Sequence, residues 1–216
     1  MIAQNPRLTL IALAAWVLCF AILARWGTWL PFAFAGAILT VLMLRTGAVA
    51  TRSLRPSVRR VAAGVLGGAL MVLLTHAAYA AVSVLVPSVL PATRELFWLL
   101  NVEGFSAAER ATLIVVIASC EEVLFRGPLL GSVLVDEDLA KWRFKQPKLL
   151  RIFAFAAAYA LVTLPLASPL LMLCAFVCGS IWGALGVAAG SLTVPILVHA
   201  LWDLGVLIVW PLTTRP

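Results

Sequence analysis

The chain has 216 residues, of which 63% are hydrophobic and 12% charged, with a formal net charge of +7. Soluble domains run at roughly 45–50% apolar and 25% charged, and a fold this small cannot hide so much apolar surface from water. Composition therefore excludes an ordinary soluble domain and predicts an all-α, polytopic integral membrane helix bundle covered by the lipid bilayer.

Apolar runs long enough to cross a bilayer, about 20 residues each, recur along the chain. Seven spans are expected, at residues 8–24, 28–44, 61–86, 111–135, 152–167, 168–189 and 193–210. No small-x-small cleavage site follows the first run, so it reads as a retained span rather than a signal peptide. The basic residues fall in short loops. Residues 45–60 carry Arg45, Arg52, Arg55, Arg59 and Arg60 without an acid, and residues 136–151 carry Lys141, Arg143, Lys145, Lys148 and Arg151. This pattern sets membrane orientation rather than binding nucleic acid. It predicts both loops and the amino terminus on the cytoplasmic side and the carboxyl terminus outside. The expected location is a bacterial cell (inner) membrane. Residues 87–110 lie outside, and Phe97, Trp98 and Phe105 suit the interface.

Residues 1–60 hold two amino-terminal spans and a basic loop, and 61–216 hold the remaining spans, together expected as one structural domain. Glycine pairs four apart, Gly64/Gly68, Gly179/Gly183 and Gly186/Gly190, predict close helix packing in spans three, six and seven. Cys174 and Cys178 share a helix face and read as small buried residues rather than metal ligands.

The acids inside spans are the informative ones. An ionisable group at bilayer depth costs at least ~2.5–3.5 kcal/mol on insertion scales, so it is kept for function or for pairing. In Cys120-Glu121-Glu122-Val123-Leu124-Phe125-Arg126, Glu122 and Arg126 are four apart with the acid first, the favourable order for an ion pair. Glu121 turns about 100° away and keeps no sequence-local partner, which makes it the candidate general base. A second cluster, His199 and Asp203, also shares one face, and Asp203 can orient the imidazole. His76, in span three, falls at about the depth of Glu121 by helical rise and is a candidate lining residue.

These residues resemble the CPBP family, which includes type II CAAX prenyl endopeptidases and bacteriocin-processing enzymes. Its Glu-Glu-x-x-x-Arg motif is matched by Glu121-Glu122-Val-Leu-Phe-Arg126, followed by Gly127. Its His-x-x-x-Asn/Asp motif is matched by His199 to Asp203. Phe176 to Gly183 and Gly190 to His199 resemble the final helices, and the likeness covers roughly residues 100–210. The resemblance implies an intramembrane endopeptidase acting on a membrane-associated protein or peptide. Glu121 would activate a water, Glu122 would support it and Arg126 would hold the helix. His199 and Asp203 would bind the substrate carbonyl and stabilise the tetrahedral intermediate.

One motif departs from the family pattern. Where the family has Phe-x-x-x-His, this chain has Tyr159-Ala-Leu-Val-Thr163, so Tyr159 and Thr163 are expected to line the site instead. Thr163 is a poor zinc ligand, and a zinc site of two histidines and a carboxylate cannot be built unless His76 joins it. No cofactor is expected and zinc is disfavoured. A catalytically silent relative acting as a scaffold, and a transporter using its buried acids as proton carriers, stay open beside the protease.

Overall fold

The computed structural model describes residues 6–100, 105–131 and 148–213, all helices, turns and connecting loops. Most of the second basic loop lies outside the described residues, as do Glu103 and the end of the fourth expected span.

The first helix, α1 (Pro6–Trp26), buries Ala12, Trp16, Cys19, Phe20 and Leu23. These positions recur at helical spacing, so one stripe faces the protein. Leu10 and Leu18, off that stripe, are 64% and 61% exposed. Pro31 opens α2 (Leu30–Arg45) in its first turn, where its missing N–H costs nothing. Gly36 lets α2 approach the fourth span closely. A Cβ there would lie 2.8 Å from the Cβ of Cys120.

Helix α3 (Val58–Leu85) begins at Ser57, whose side chain accepts from the backbone N–H of Arg60. It meets the protein along Gly64, Gly68 and Met71, and Leu66 on another face is 71% exposed. Such a surface suits lipid and would aggregate in water. A short helix α4 (Val89–Leu99) occupies the loop that follows. Helix α5 (Ala107–Glu121) starts with a capping box between Ser106 and Glu109. The backbone N–H of Ser106 donates to Glu109 and holds its carboxyl below the usual range.

After α5 the helix continues through a π turn, Glu122–Arg126, and on to residue 131. Helix α6 (Lys148–Leu161) is followed by a 3-10 turn, Leu164–Leu166. Ala167 is left-handed, with φ 50°, and Ser168 and Pro169 then open α7 (Pro169–Ala189). The expected span 152–167 is therefore a helix that stops at Leu161. Pro165 disfavours helical geometry in the residue before it, and seven residues, 162–168, intervene before α7. The last helix is α8 (Thr193–Leu204), which ends in a second π turn, Gly205–Val209.

Among the described residues three helices, α1, α3 and α7, are long and apolar enough to cross a membrane, while α2 and Thr193–Val209 are apolar but shorter. The molecule is a helical membrane protein. The glycines of the expected pairs sit at close helix approaches except Gly190, which is the left-handed cap of α7, with nothing within 4 Å of a Cβ built there. Gly64 and Gly68 of α3 admit Leu197 and Leu201 of α8. Gly179 of α7 instead faces Arg126 and Tyr159, and Gly183 faces Ile152 and Leu129. All four cysteines are free.

Candidate active site

Two polar clusters far apart in the sequence meet in the interior. Glu121 and Glu122 sit where α5 passes into the π turn, in which Gly127 donates its N–H to the carbonyl of Glu122, five residues back. π turns inside helices recur at functional sites because they redirect the side chains that follow. His199 and Asp203 come from α8. Glu121 is 6% exposed, Glu122 0%, Arg126 3% and His199 2%.

Glu122 is the hinge of the cluster. Its Oε1 lies 3.4 Å from Arg126 Nη1 and 2.8 Å from His199 Nδ1. The ion pair expected from the spacing is present, and the same oxygen also fixes the imidazole. His199 Nε2 then faces two further carboxylates, Asp203 Oδ2 at 3.3 Å and Glu121 Oε2 at 3.7 Å. The ring is held flat on Trp182, with centroids 3.6 Å apart and planes 19° from parallel. Asp203 is the open side of the cluster, its side chain being 21% exposed.

Glu121 has no neighbour in sequence to pair with but two partners from elsewhere. Trp16 Nε1 donates to Oε1 at 2.8 Å, and Tyr159 Oη donates to Oε2 at 2.5 Å. Arg126 lies over the Tyr159 ring at 4.3 Å and over Trp182 at 5.2 Å. A guanidinium stacked on aromatic faces is stabilised in a dry place where water cannot solvate it. Glu122 Oε2, both terminal nitrogens of Arg126 and Trp182 Nε1 are buried without a hydrogen bond to protein atoms. They remain available to a bound polar group. Among the described residues no three His, Cys, Asp or Glu side chains are arranged to hold a metal ion.

Two expected lining residues are used elsewhere. His76 stacks on Trp210, with centroids 3.7 Å apart, and its Nε2 lies 3.0 Å from the Trp210 carbonyl. Helical rise gives depth alone, and azimuth decides which face a residue takes. The inward stripe of α3 runs through Gly64, Gly68 and Met71, and one turn on it reaches Thr75, which accepts from Trp202. His76 is rotated off that stripe. Thr163 is buried, but its hydroxyl donates to the Ala160 carbonyl at 2.8 Å, a local backbone bond common for threonine.

Tyr159 does join the site, as the motif position suggested. Trp16 and Trp182 were not legible as site residues. Trp182 lies in the stretch Phe176 to Gly183 that resembles the family. Trp16 carries no local signal, being one aromatic in an apolar helix.

Residues 103–205 match the family model of type II CAAX prenyl endopeptidase Rce1-like proteins. No curated protein and no solved structure matches the chain. The matched segment contains Glu121, Glu122, Arg126, Tyr159, Thr163, Trp182, His199 and Asp203, and it excludes Trp16. The chain is thus a helical membrane protein whose residues 103–205 are similar to type II CAAX prenyl endopeptidase Rce1-like proteins.

Proposed function

We propose that the protein is an intramembrane endopeptidase that hydrolyses a peptide bond in a membrane-associated protein or peptide. The observation that carries this reading is the meeting of Glu121, Glu122, His199 and Asp203 within hydrogen-bond or ion-pair reach in one largely buried cluster. Each oxygen of Glu121 accepts one donor and keeps a lone pair, so the carboxylate can take a proton from a water attacking the scissile carbonyl. That proton then passes to the departing amide nitrogen. His199 Nε2, beside Asp203, is the donor suited to the developing oxyanion. Glu122 holds the ring through Nδ1, and Arg126 balances the charge of Glu122. Substrate would enter from the Asp203 side, where the cluster is least enclosed. No step requires a metal or cofactor.

Membranes carrying the parent protein are expected to yield new peptide termini that membranes carrying His199→Ala do not, measured by terminus profiling. Identical profiles would favour a second reading, a catalytically silent CPBP-like scaffold. That reading draws on one observation: the Thr163 hydroxyl is spent on its own backbone, leaving no proton-transferring group at that motif position.

We also propose seven crossings of a bacterial cell membrane, with the amino terminus cytoplasmic. The reading is supported by Arg45, Arg52, Arg55 and Arg59, all exposed from the end of α2 to the first turn of α3. A reporter fused after Pro216 should read outside. A cytoplasmic reading would change the number of crossings by one.

A further inference from the structure

Glu121 is fixed by two donors from different parts of the chain, and one of them lies beyond the matched segment. Trp16 belongs to α1, which packs on α2, on the Leu164–Leu166 turn and on the π turn. Its ring is 0% exposed. Phe32 meets it edge-on at 5.6 Å and Phe125 at 6.0 Å. These two rings fix the plane of the indole. An indole nitrogen is a donor only, and Trp16 Nε1 is aimed at Glu121 Oε1 at 2.8 Å. Tyr159 holds the other oxygen. Two donors on the two oxygens define the carboxylate plane, which neither does alone. They hold Glu121 Oε2 3.7 Å from His199 Nε2.

We infer that Trp16 is a positioning residue for Glu121, so that the amino-terminal helix completes the site of the carboxyl-terminal domain. A buried indole N–H usually finds an acceptor, although that of Trp182 has none in the protein. For Trp16 the acceptor is the proposed base itself, and the donor comes from over 100 residues away. Preorganised groups of this kind lose their effect when the supporting bond is lost, because the reacting carboxylate then samples unproductive orientations. The consequence for turnover rests on the protease reading; the hydrogen bond does not.

The test has two arms on the full-length protein in detergent or nanodiscs. In the first, the eight tryptophans are labelled with nitrogen-15 in the indole ring. The resonance that disappears in Trp16→Phe identifies Trp16, and it should move upfield in Glu121→Gln, where the charged acceptor is gone. In the second, cleavage of a substrate found by terminus profiling is measured in Trp16→Phe, which keeps an aromatic ring between Phe32 and Phe125. A hydrogen bond to a charged group corresponds to about 10- to 100-fold in rate, and the loss should fall on kcat with KM nearly unchanged. Trp29→Phe, which removes an indole bond to the Leu100 carbonyl, should cleave like the parent. If Trp16→Phe does not fold, a benzothiophene ring in place of the Trp16 indole keeps the shape without the N–H.

A Trp16 resonance indifferent to Glu121→Gln overturns the inference. So does a resonance that moves while Trp16→Phe keeps the parent kcat. If the parent cleaves nothing, the protease reading fails by itself, and the contact between Trp16 and Glu121 is still decided by the resonance.

Discussion

Glu121→Gln is expected to abolish cleavage, or to lower it by about 100- to 10,000-fold, the range for loss of a general base, while leaving protein level near that of the parent. The two halves of this result have separate causes. The amide cannot accept a proton from water, so the chemical step loses its base. The site, however, can absorb the change. Trp16 is a donor only, so the amide oxygen should turn toward it. The amide nitrogen then faces Tyr159, whose hydroxyl can rotate to accept. The Tyr159 hydroxyl proton loses its acceptor, which costs less than a stranded buried charge, and no charge is stranded. Membrane level and cleavage should be measured on the same preparation, since poor insertion lowers activity too. A Glu121→Gln protein that cleaves as fast as the parent would falsify the assignment of the base.

Arg126→Ala should have the opposite signature, with folded protein lost before any question of rate arises. Arg126 and Glu122 are almost wholly buried, 3.4 Å apart. Removing one partner of a buried pair costs about 3–5 kcal/mol, because the remaining charge is left in a dry site. Arg126→Ala also empties the space over Tyr159 and Trp182 that the guanidinium fills. Glu122→Ala should be as damaging, since it strands Arg126 and frees the His199 ring at Nδ1. The expected measurement is a marked drop in membrane level and in thermal stability in detergent for both variants. The double variant Glu122→Gln with Arg126→Leu leaves no unpaired charge and should recover part of that loss. Normal levels in both single variants would mean that the pair carries no stability, and its place in the site would need another explanation.

The sequence by itself determined the membrane class and the identity of the charged cluster. The reason is the bilayer. A solvent that penalises every unpaired charge leaves few acids inside spans, so Glu121, Glu122 and Asp203 stand out without any structure. Helical spacing then paired Glu122 with Arg126 and His199 with Asp203, because residues four apart share a face whatever the tertiary fold. Sequence spacing could not join the two pairs. The bond from His199 to Glu122 spans 77 positions and depends on how α8 packs against α5. It also could not find Trp16. Apolar helices give little rotational signal in lipid, since both the buried and the lipid-facing sides are apolar, so nothing in α1 marks which aromatic turns inward. His76 failed for the same reason: helical rise gives depth, but only packing gives azimuth, and the glycine stripe of α3 turns His76 toward Trp210. The break at Leu161 was half legible, since Pro165 and Pro169 announce an interruption without saying where the helix before them ends. The π turn at Glu122–Arg126 was decided by tertiary structure alone. Its extra residue per turn has no marker in composition or periodicity, and it persists because the side chains it redirects are held by His199, Tyr159 and Trp182.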